Sequence, residues 1–193
     1  MPLPFALRPL GEAAEWRRGD GTLSVTAGPR TDWFVDPGGR PATMSAPALV
    51  GPVDGDFLLG ARVAVDFRAA FDAGVLVLWR GERTWAKLCF ESSPEAQPMI
   101  VSVVTRGVSD DANAFTVDGR EVWLRIARIG DEFAFHASTD GRRWELVRHF
   151  ALDGTGELQI GFEAQSPTGD GCGVTFSDIR FEQRRLDDIR SGA

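Results

Sequence analysis

The sequence contains few of the residues that build metal centres, disulfide frameworks or catalytic triads. Of 193 residues, only two are cysteine and two are histidine. No histidine stands at zinc-ligand spacing from Cys89 or Cys172, so both cysteines are predicted to be free thiols. His136 and His149 have no partner at the spacing of a metal site or a triad. We therefore expect no metal ion and no cofactor.

Positive charge and long apolar runs are also scarce. Acidic residues outnumber basic ones by 28 to 21, which gives a formal net charge of −7. Nucleic-acid-binding proteins usually carry a basic patch or stripe, and this sequence has none. No run of about 18 apolar residues occurs, the length that spans a membrane as a helix. Residues 1–10 lack the charged start and apolar core of a signal peptide. We expect a cytoplasmic protein that binds neither nucleic acid nor membrane.

Helical periodicity is absent, whereas strand patterns recur along the chain. Glycine (22) and proline (11) are frequent, as is typical of short strands joined by tight turns. Apolar and polar residues alternate in residues 22–27, 57–67, 122–128 and 158–164, which predicts strands. Residues 75–80 are apolar on both faces and indicate a central strand covered on each side. These patterns predict an all-β fold, a two-sheet antiparallel jelly-roll sandwich.

The length and the strand spacing also predict the domain organisation. A chain of 193 residues suits one large sandwich and requires no second domain. We assign residues 1–181 to a single domain and residues 182–193 to a charged C-terminal tail, either a short helix or a frayed end. The consecutive segments 57–67, 75–80 and 85–91 are predicted to form one antiparallel meander.

Residues 84–110 contain two apolar runs rich in β-forming residues, joined by a turn with Pro94. In a strand over residues 85–91, the side chains on one face belong to the core. The other face carries Trp85, Lys87, Cys89 and Glu91. An aromatic ring beside charged hydrogen-bonding groups is an arrangement that can hold a sugar. The alternative is a solvated sheet face crossed by ion pairs.

Two further segments carry candidate ligand-binding residues. Asp32 and Trp33 place an acid and an aromatic ring in a loop at the mouth of this face. In the alternative interpretation, Asp32 binds backbone amides and Trp33 caps the core. Asp72 could approach Glu91 across strands, although its position before Gly74 is also typical of a turn.

The segment 105–110 follows the second apolar run. Its polar side chains either line a pocket or fix their own loop. Together these segments give one predicted ligand-binding set, which consists of Asp32, Trp33, Asp72, Trp85, Lys87, Glu91, Arg106, Ser109 and Asp110.

Six segments, taken in order, resemble a known family. They are residues 31–34, 55–57, 71–75, 85–87, 102–110 and 138–144. Together they are similar to the "regulation of enolase" family, the domain of unknown function 1349, over residues 16–181. The resemblance implies a concanavalin A-like lectin/glucanase jelly roll with one concave sheet and favours glycan binding, without implying a mechanism. The chain departs from the family pattern at Ala73, where a glutamine is usual, and at Asp111, where a tryptophan is usual.

These observations support one principal function hypothesis, a lectin-like binding protein. It would hold a carbohydrate or another polar small molecule on the concave sheet face. The first alternative is a glycoside-processing enzyme that uses Glu91 as acid or base. Such enzymes need two carboxylates about 5–5.5 Å or about 6.5–9.5 Å apart, and the Glu-x-Asp-x-x-Glu run of lectin-like glucanases is absent. The second alternative is a protein-interaction or regulatory module, with a homodimer formed through an exposed sheet edge.

Overall fold

The computed structural model describes residues 3–193. Sixteen strands form two seven-stranded antiparallel sheets and one two-stranded ribbon, and the described residues contain no helix. Accordingly, nothing in this part of the chain is a helix long and apolar enough to cross a membrane. The predicted all-β sandwich is confirmed. Cys89 and Cys172 are buried free thiols.

The strands have the following bounds in chain order. They are β1 (Arg8–Leu10), β2 (Arg17–Arg18), β3 (Leu23–Thr26), β4 (Trp33–Phe34), β5 (Thr43–Met44), β6 (Ala48–Pro52), β7 (Phe57–Val65), β8 (Ala73–Gly81), β9 (Thr84–Ser92), β10 (Pro98–Arg106), β11 (Val108–Thr116), β12 (Glu121–Ile129), β13 (Glu132–Ser138), β14 (Glu145–Ala151), β15 (Gln159–Gln165) and β16 (Gly173–Glu182).

The front sheet has the order β1-β6-β15-β8-β9-β10-β11, and the back sheet has the order β14-β13-β12-β7-β16-β3-β2. The predicted meander of three consecutive segments is therefore wrong in its first member, because β7 lies in the back sheet between β12 and β16. Residues 66–72 carry the chain from one sheet to the other, and the continuous meander is β8-β9-β10-β11. Adjacent strands in sequence do not reveal a sheet crossover, because both sheets bury the same kind of alternating pattern.

The main core lies between the two sheets. On β9, Ala86, Leu88 and Phe90 are fully buried there, as the alternation predicts. The back sheet contributes residues such as Leu59 and Leu124 to the same cluster. Each fully buried Leu or Phe side chain contributes roughly 1.5–3 kcal/mol relative to an exposed one, so this layer supplies most of the stabilisation of the fold.

The outer face of the front sheet carries a second apolar cluster. Residues 31–46, which include the β4-β5 ribbon, fold over one end of this face. Trp33 is fully buried there, with its ring centroid 5.0 Å from that of Trp79 and 6.1 Å from that of Trp85. Its indole Nε1 donates a hydrogen bond of 2.9 Å to the carbonyl of Ala46. This cover explains why the outer face of β8 is apolar at Val77 and Trp79.

The C-terminal segment packs on the outer face of the back sheet. Leu186 is only 2% exposed and joins a cluster with Leu58 and Ala127. The carbonyl of Ile189 lies 2.7 Å from Nε2 of His136. The segment is neither a helix nor a frayed end, because apolar residues spaced through its charged sequence bind it to the sheet.

Leu186 tests this packing. Leu186→Ala should lower the free energy of unfolding by about 2–5 kcal/mol, as expected for truncation of a buried leucine. Urea unfolding measures the change, and Arg185→Ala, at an exposed neighbouring position, is the control. Equal stabilities of the two variants would show that the segment does not contribute to the folded state.

Candidate functional site

Charged and polar side chains occupy the part of the outer face that residues 31–46 leave uncovered. Strand pairing brings them together: Lys87 on β9 and Asp111 on β11 both lie opposite Val103 of β10. Glu91 on β9 and Gln165 on β15 both lie opposite Ala73 of β8. Two rows of polar side chains therefore face the same space from three different strands, β9, β11 and β15.

This space is a cavity of about 250 Å³. Polar groups line its interior and aromatic rings lie among them. The lining residues are Asp32, Phe34, Arg40, Phe71, Lys87, Glu91, Val103, Asp111, Gln165 and Pro167. Apolar walls with a few convergent polar groups are typical of small-molecule sites.

Lys87 is the cation at the centre of the cavity. It is 2% exposed, and its Nζ lies 3.0 Å from Oδ1 of Asp32 and 2.7 Å from Oε1 of Gln165. Burial opposes the charge of the ammonium group, but the carboxylates of Asp32 and Glu163 outweigh it and raise the pKa of Lys87. The side chain is thus a permanently charged group held in a fixed position.

Two buried glutamates surround this cation. Burial raises the pKa of Glu91 and that of Glu163 to about 8, while the charge of Lys87 acts in the opposite direction. Glu163 is fully buried, and neither of its carboxyl oxygens has a hydrogen-bond partner in the described chain. Both groups are mostly protonated at neutral pH, which relieves the cost of a buried unpaired charge.

Glu91 differs from Glu163 because it reaches the cavity. Its side chain is 9% exposed and belongs to the lining. Burial is the main cause of its raised pKa, and no hydrogen bond from residues 3–193 is among the causes. Asp111 lies at the rim, where burial also raises its pKa. The cavity therefore contains acid groups that the protein itself does not neutralise.

The structure brings three of the predicted site residues together in the cavity, namely Asp32, Lys87 and Glu91. Trp33 and Trp85 are fully buried in the covered half of the face, where they pack against each other. They support the site from the side and are not accessible to a ligand, because residues 31–46 cover them.

Ser109 and Asp72 have backbone-fixing roles outside the cavity. The Ser109 hydroxyl accepts a hydrogen bond of 2.9 Å from the amide of Val35 and so attaches the covering segment to β11. Asp72 accepts hydrogen bonds of 2.9 Å each from the amides of Arg68 and Ala69. This geometry agrees with the alternative interpretation, in which Asp72 is a turn residue.

Arg106 and Asp110 also lie away from the cavity lining. Asp110 is paired with Arg148 at 2.9 Å, and Arg106 is exposed. The reason is strand parity: residues 108–116 form β11, so Asp110 and Asp111 point to opposite faces. In a loop, as predicted for residues 105–110, that alternation has no meaning.

The other seven lining residues were missing from the predicted set, among them Asp111, Gln165 and Phe71. Gln165 follows the alternating segment 158–164 by one residue and lies on the same face as Glu163. Phe71 has a positive φ of 69° and is 37% exposed. The extended alternation of β15 could have indicated Gln165, whereas no local pattern indicates the backbone conformation of Phe71.

A larger depression of about 580 Å³ lies on the outer face of the back sheet. Its charged residues are exposed and paired with one another, as in the contact of 3.1 Å between Arg120 and Asp66. Exposed pairs of this kind are ordinary surface chemistry. We therefore assign the candidate site to the smaller cavity of the front sheet, where the charges are buried.

Comparison with known proteins identifies the family. The family described as "Protein of unknown function (DUF1349)" matches residues 10–184, so the chain belongs to it. "Regulation of enolase protein 1" of Saccharomyces cerevisiae is 28% identical over 123 residues, which cover 63% of this chain and 62% of that protein. The match thus spans less than two thirds of the curated relative.

Solved structures share the fold. A functionally unknown protein from Saccharomyces cerevisiae aligns with a TM-score of 0.84 at 22% identity over 92% of this chain and 96% of its own. The GH43 protein BlXynB of Bacillus licheniformis aligns with a TM-score of 0.70 at 14% identity over 86% of this chain and 34% of its own. At these identities the likeness shows the β-sandwich fold alone.

Lys87 tests the charge balance of the site. Lys87→Met should lower the free energy of unfolding by about 3–5 kcal/mol, because it leaves buried carboxyl groups without their cation. The double variant with Asp32→Asn should recover part of this loss, since it removes a carboxylate that Lys87 neutralises. Urea unfolding of both variants measures the coupling, and additive effects would contradict it.

Glu163 tests the pH dependence. Its folded-state pKa of about 8 lies above the ordinary value of 4.5, so the folded protein binds more protons than the unfolded chain between these values. The free energy of unfolding should therefore fall as pH rises from about 5 to about 8. Glu163→Gln should reduce this slope, measured by urea unfolding across the range, whereas the exposed control Glu82→Gln should not. Parallel curves for all three proteins would refute the assignment.

Proposed function

We propose that this member of the domain of unknown function 1349 family binds a polyhydroxylated small molecule, of the size of a monosaccharide, in the cavity around Lys87. One observation carries the proposal: buried polar groups of the cavity have hydrogen-bonding capacity that the protein does not use. Lys87 has three N–H donors and makes two side-chain hydrogen bonds, to Asp32 and Gln165. Glu91 adds a carboxyl group that is buried and lines the same space.

Hydroxyl groups suit these unused positions. A hydroxyl both donates and accepts hydrogen bonds, so the hydroxyls of one ligand can serve both the Lys87 ammonium and the Glu91 carboxyl. Buried polar groups in folded proteins nearly always have a partner. A ligand that supplies those partners gains binding free energy, because these protein groups already lost their water when the chain folded.

Phe71 supplies the apolar contact at the cavity. Its positive φ of 69° is a conformation that costs a non-glycine residue on the order of 1–3 kcal/mol. The conformation is held from two sides: the Phe71 amide donates to the carbonyl of Ser92 at 2.7 Å, and Nε2 of Gln165 donates to the Phe71 carbonyl at 3.2 Å. An exposed ring held at such a cost is available to stack on the apolar face of a sugar.

The volume limits the size of the ligand. A cavity of about 250 Å³ is smaller than the roughly 300–1,000 Å³ typical of sites for drug-sized ligands. One ring, or the terminal ring of a longer chain, is therefore the preferred ligand. The cavity supports this function, whereas the likeness to GH43 structures concerns the fold alone. A cytoplasmic location and a homodimer stay predictions from the sequence.

One observation favours catalysis as a second candidate function. With a pKa of about 8, Glu91 keeps its proton at neutral pH, as a general acid must. The charge of Asp111 contributes to this shift, and Asp111 would then be the second carboxylate of a glycoside-processing site. Hydrolysis of a glycoside by the wild type but not by Glu91→Gln would support this candidate, and activity that survives the substitution would exclude it.

A thermal-shift screen against mono- and oligosaccharides tests the binding function. A sugar at about 100 times its dissociation constant should add about 2.7 kcal/mol to the free energy of unfolding. Phe71→Ala should weaken binding by roughly tenfold, because an aromatic contact is lost, whereas Phe71→Tyr should retain it. Lys87 variants are unsuitable here since they also destabilise the fold.

Asp110→Asn is the matched control, because Asp110 lies beside the site in sequence but outside the cavity. A flat screen, or binding that Phe71→Ala leaves unchanged, would contradict the proposed site. It would favour the regulatory alternative, in which a protein surface is the ligand.

A further inference from the structure

The acid groups that line the cavity outnumber its cations. Its two cations are already paired: Lys87 with Asp32 at 3.0 Å, and Arg40 with Asp36 through a hydrogen bond of 2.8 Å from its Nε. Glu91 and Asp111 lie in the same lining without a cation partner. The cavity therefore has an excess of acid groups, and the paired cations cannot neutralise it.

Glu91 is an independent indication of a missing partner. It is only 9% exposed, it lines the cavity, and no side chain or backbone group of residues 3–193 forms a hydrogen bond or ion pair with its carboxyl group. A buried carboxylate is stable only when a cation or several hydrogen-bond donors accompany it. In the protein without ligand a proton occupies this role, as the pKa of about 8 indicates.

We infer that the ligand carries a protonated amine, as an amino sugar does, and that its ammonium group pairs with Glu91 in the cavity that Asp111 also lines. The inference rests on the proposed function and specifies the ligand class. An ammonium group has three donors and no acceptor, which complements a buried carboxylate without another partner. A uronic acid offers no cation to Glu91 and would add a further carboxylate to a cavity that Asp32, Glu91 and Asp111 already line. The ring hydroxyls remain available for Lys87 and for the Phe71 face.

The bound state requires a proton to leave Glu91. Five titratable groups act on this carboxyl or lie on the strands around it: Lys87 and Cys89 on β9, Asp111 on β11, Asp32 in the covering segment and Glu163 on β15. Only Lys87 among them is a cation. When an ammonium group binds, the Glu91 proton passes to solvent and the carboxylate pairs with the ligand. A neutral sugar leaves the proton in place.

Matched sugar pairs test the inference by isothermal titration calorimetry. The pairs are glucose and glucosamine, galactose and galactosamine, and mannose and mannosamine, each at about pH 6.5, where an amine of this kind is protonated. In at least one pair the amino sugar should bind on the order of tenfold to a hundredfold more tightly, the gain from hydrogen bonds between charged groups. Titration in two buffers with different ionisation enthalpies should show proton release with the amino sugar only.

Variants assign the effect to the cavity. Glu91→Gln should abolish the proton release and most of the preference for the amine, and Asp111→Asn should reduce the preference. Asp110→Asn should leave both unchanged because Asp110 pairs with Arg148 outside the cavity.

The outcomes separate this inference from the proposed function. Tighter amine binding with proton release that depends on Glu91 supports both. Binding of a neutral sugar that is equal to or tighter than binding of its amino counterpart overturns the amine inference and leaves sugar binding intact. Failure of all six sugars to bind overturns the proposed function and the inference that rests on it.

Discussion

The buried contact between Lys87 and Asp32 determines how the rest of the outer face is organised. Lys87 projects from the middle of the front sheet, where its charge cannot be left without a partner. Asp32 supplies that partner only when residues 31–46 fold back over the sheet, and the same fold-back buries Trp33 against Trp79 and Trp85. The same segment thus supplies the partner of Lys87 and buries the aromatic cluster, so the ion pair and the apolar packing stabilise each other.

This covering segment divides one sheet face into two environments. Under the segment the face is apolar and inaccessible, while beside it the face is polar and forms the cavity. The two buried glutamates of this face differ in access: Glu163 on β15 is fully enclosed, whereas Glu91 on β9 reaches the cavity. A site with strongly shifted pKa values therefore forms at the edge of a structural cover, without metal-binding or triad motifs.

Local sequence patterns predicted the elements better than their arrangement. Alternation correctly placed Lys87 and Glu91 on one face of β9, because that property depends on a single strand. It could not reveal that β7 belongs to the opposite sheet or that Gln165 lies in the row of Glu91, because both depend on long-range pairing. The choice between Asp110 and Asp111 depended on recognising β11 as a strand, since a change of one residue reverses the face. The C-terminal segment was misjudged because its charge obscured Leu186.

The central claim is that the protein buries carboxyl groups around Lys87 without supplying each of them with a cation or with hydrogen-bond donors. The most direct measurement is an NMR titration of the glutamate side-chain carboxyl carbons in the folded protein, with Glu91→Gln and Glu163→Gln used to assign the resonances. The account predicts two resonances that titrate near pH 8 while the exposed glutamates titrate at ordinary acidic pH. Titration of every glutamate below about pH 5 would contradict it. The protein would then stabilise the ionised carboxylates with its own cations and hydrogen-bond donors, and the cavity would offer no unused positions to a ligand.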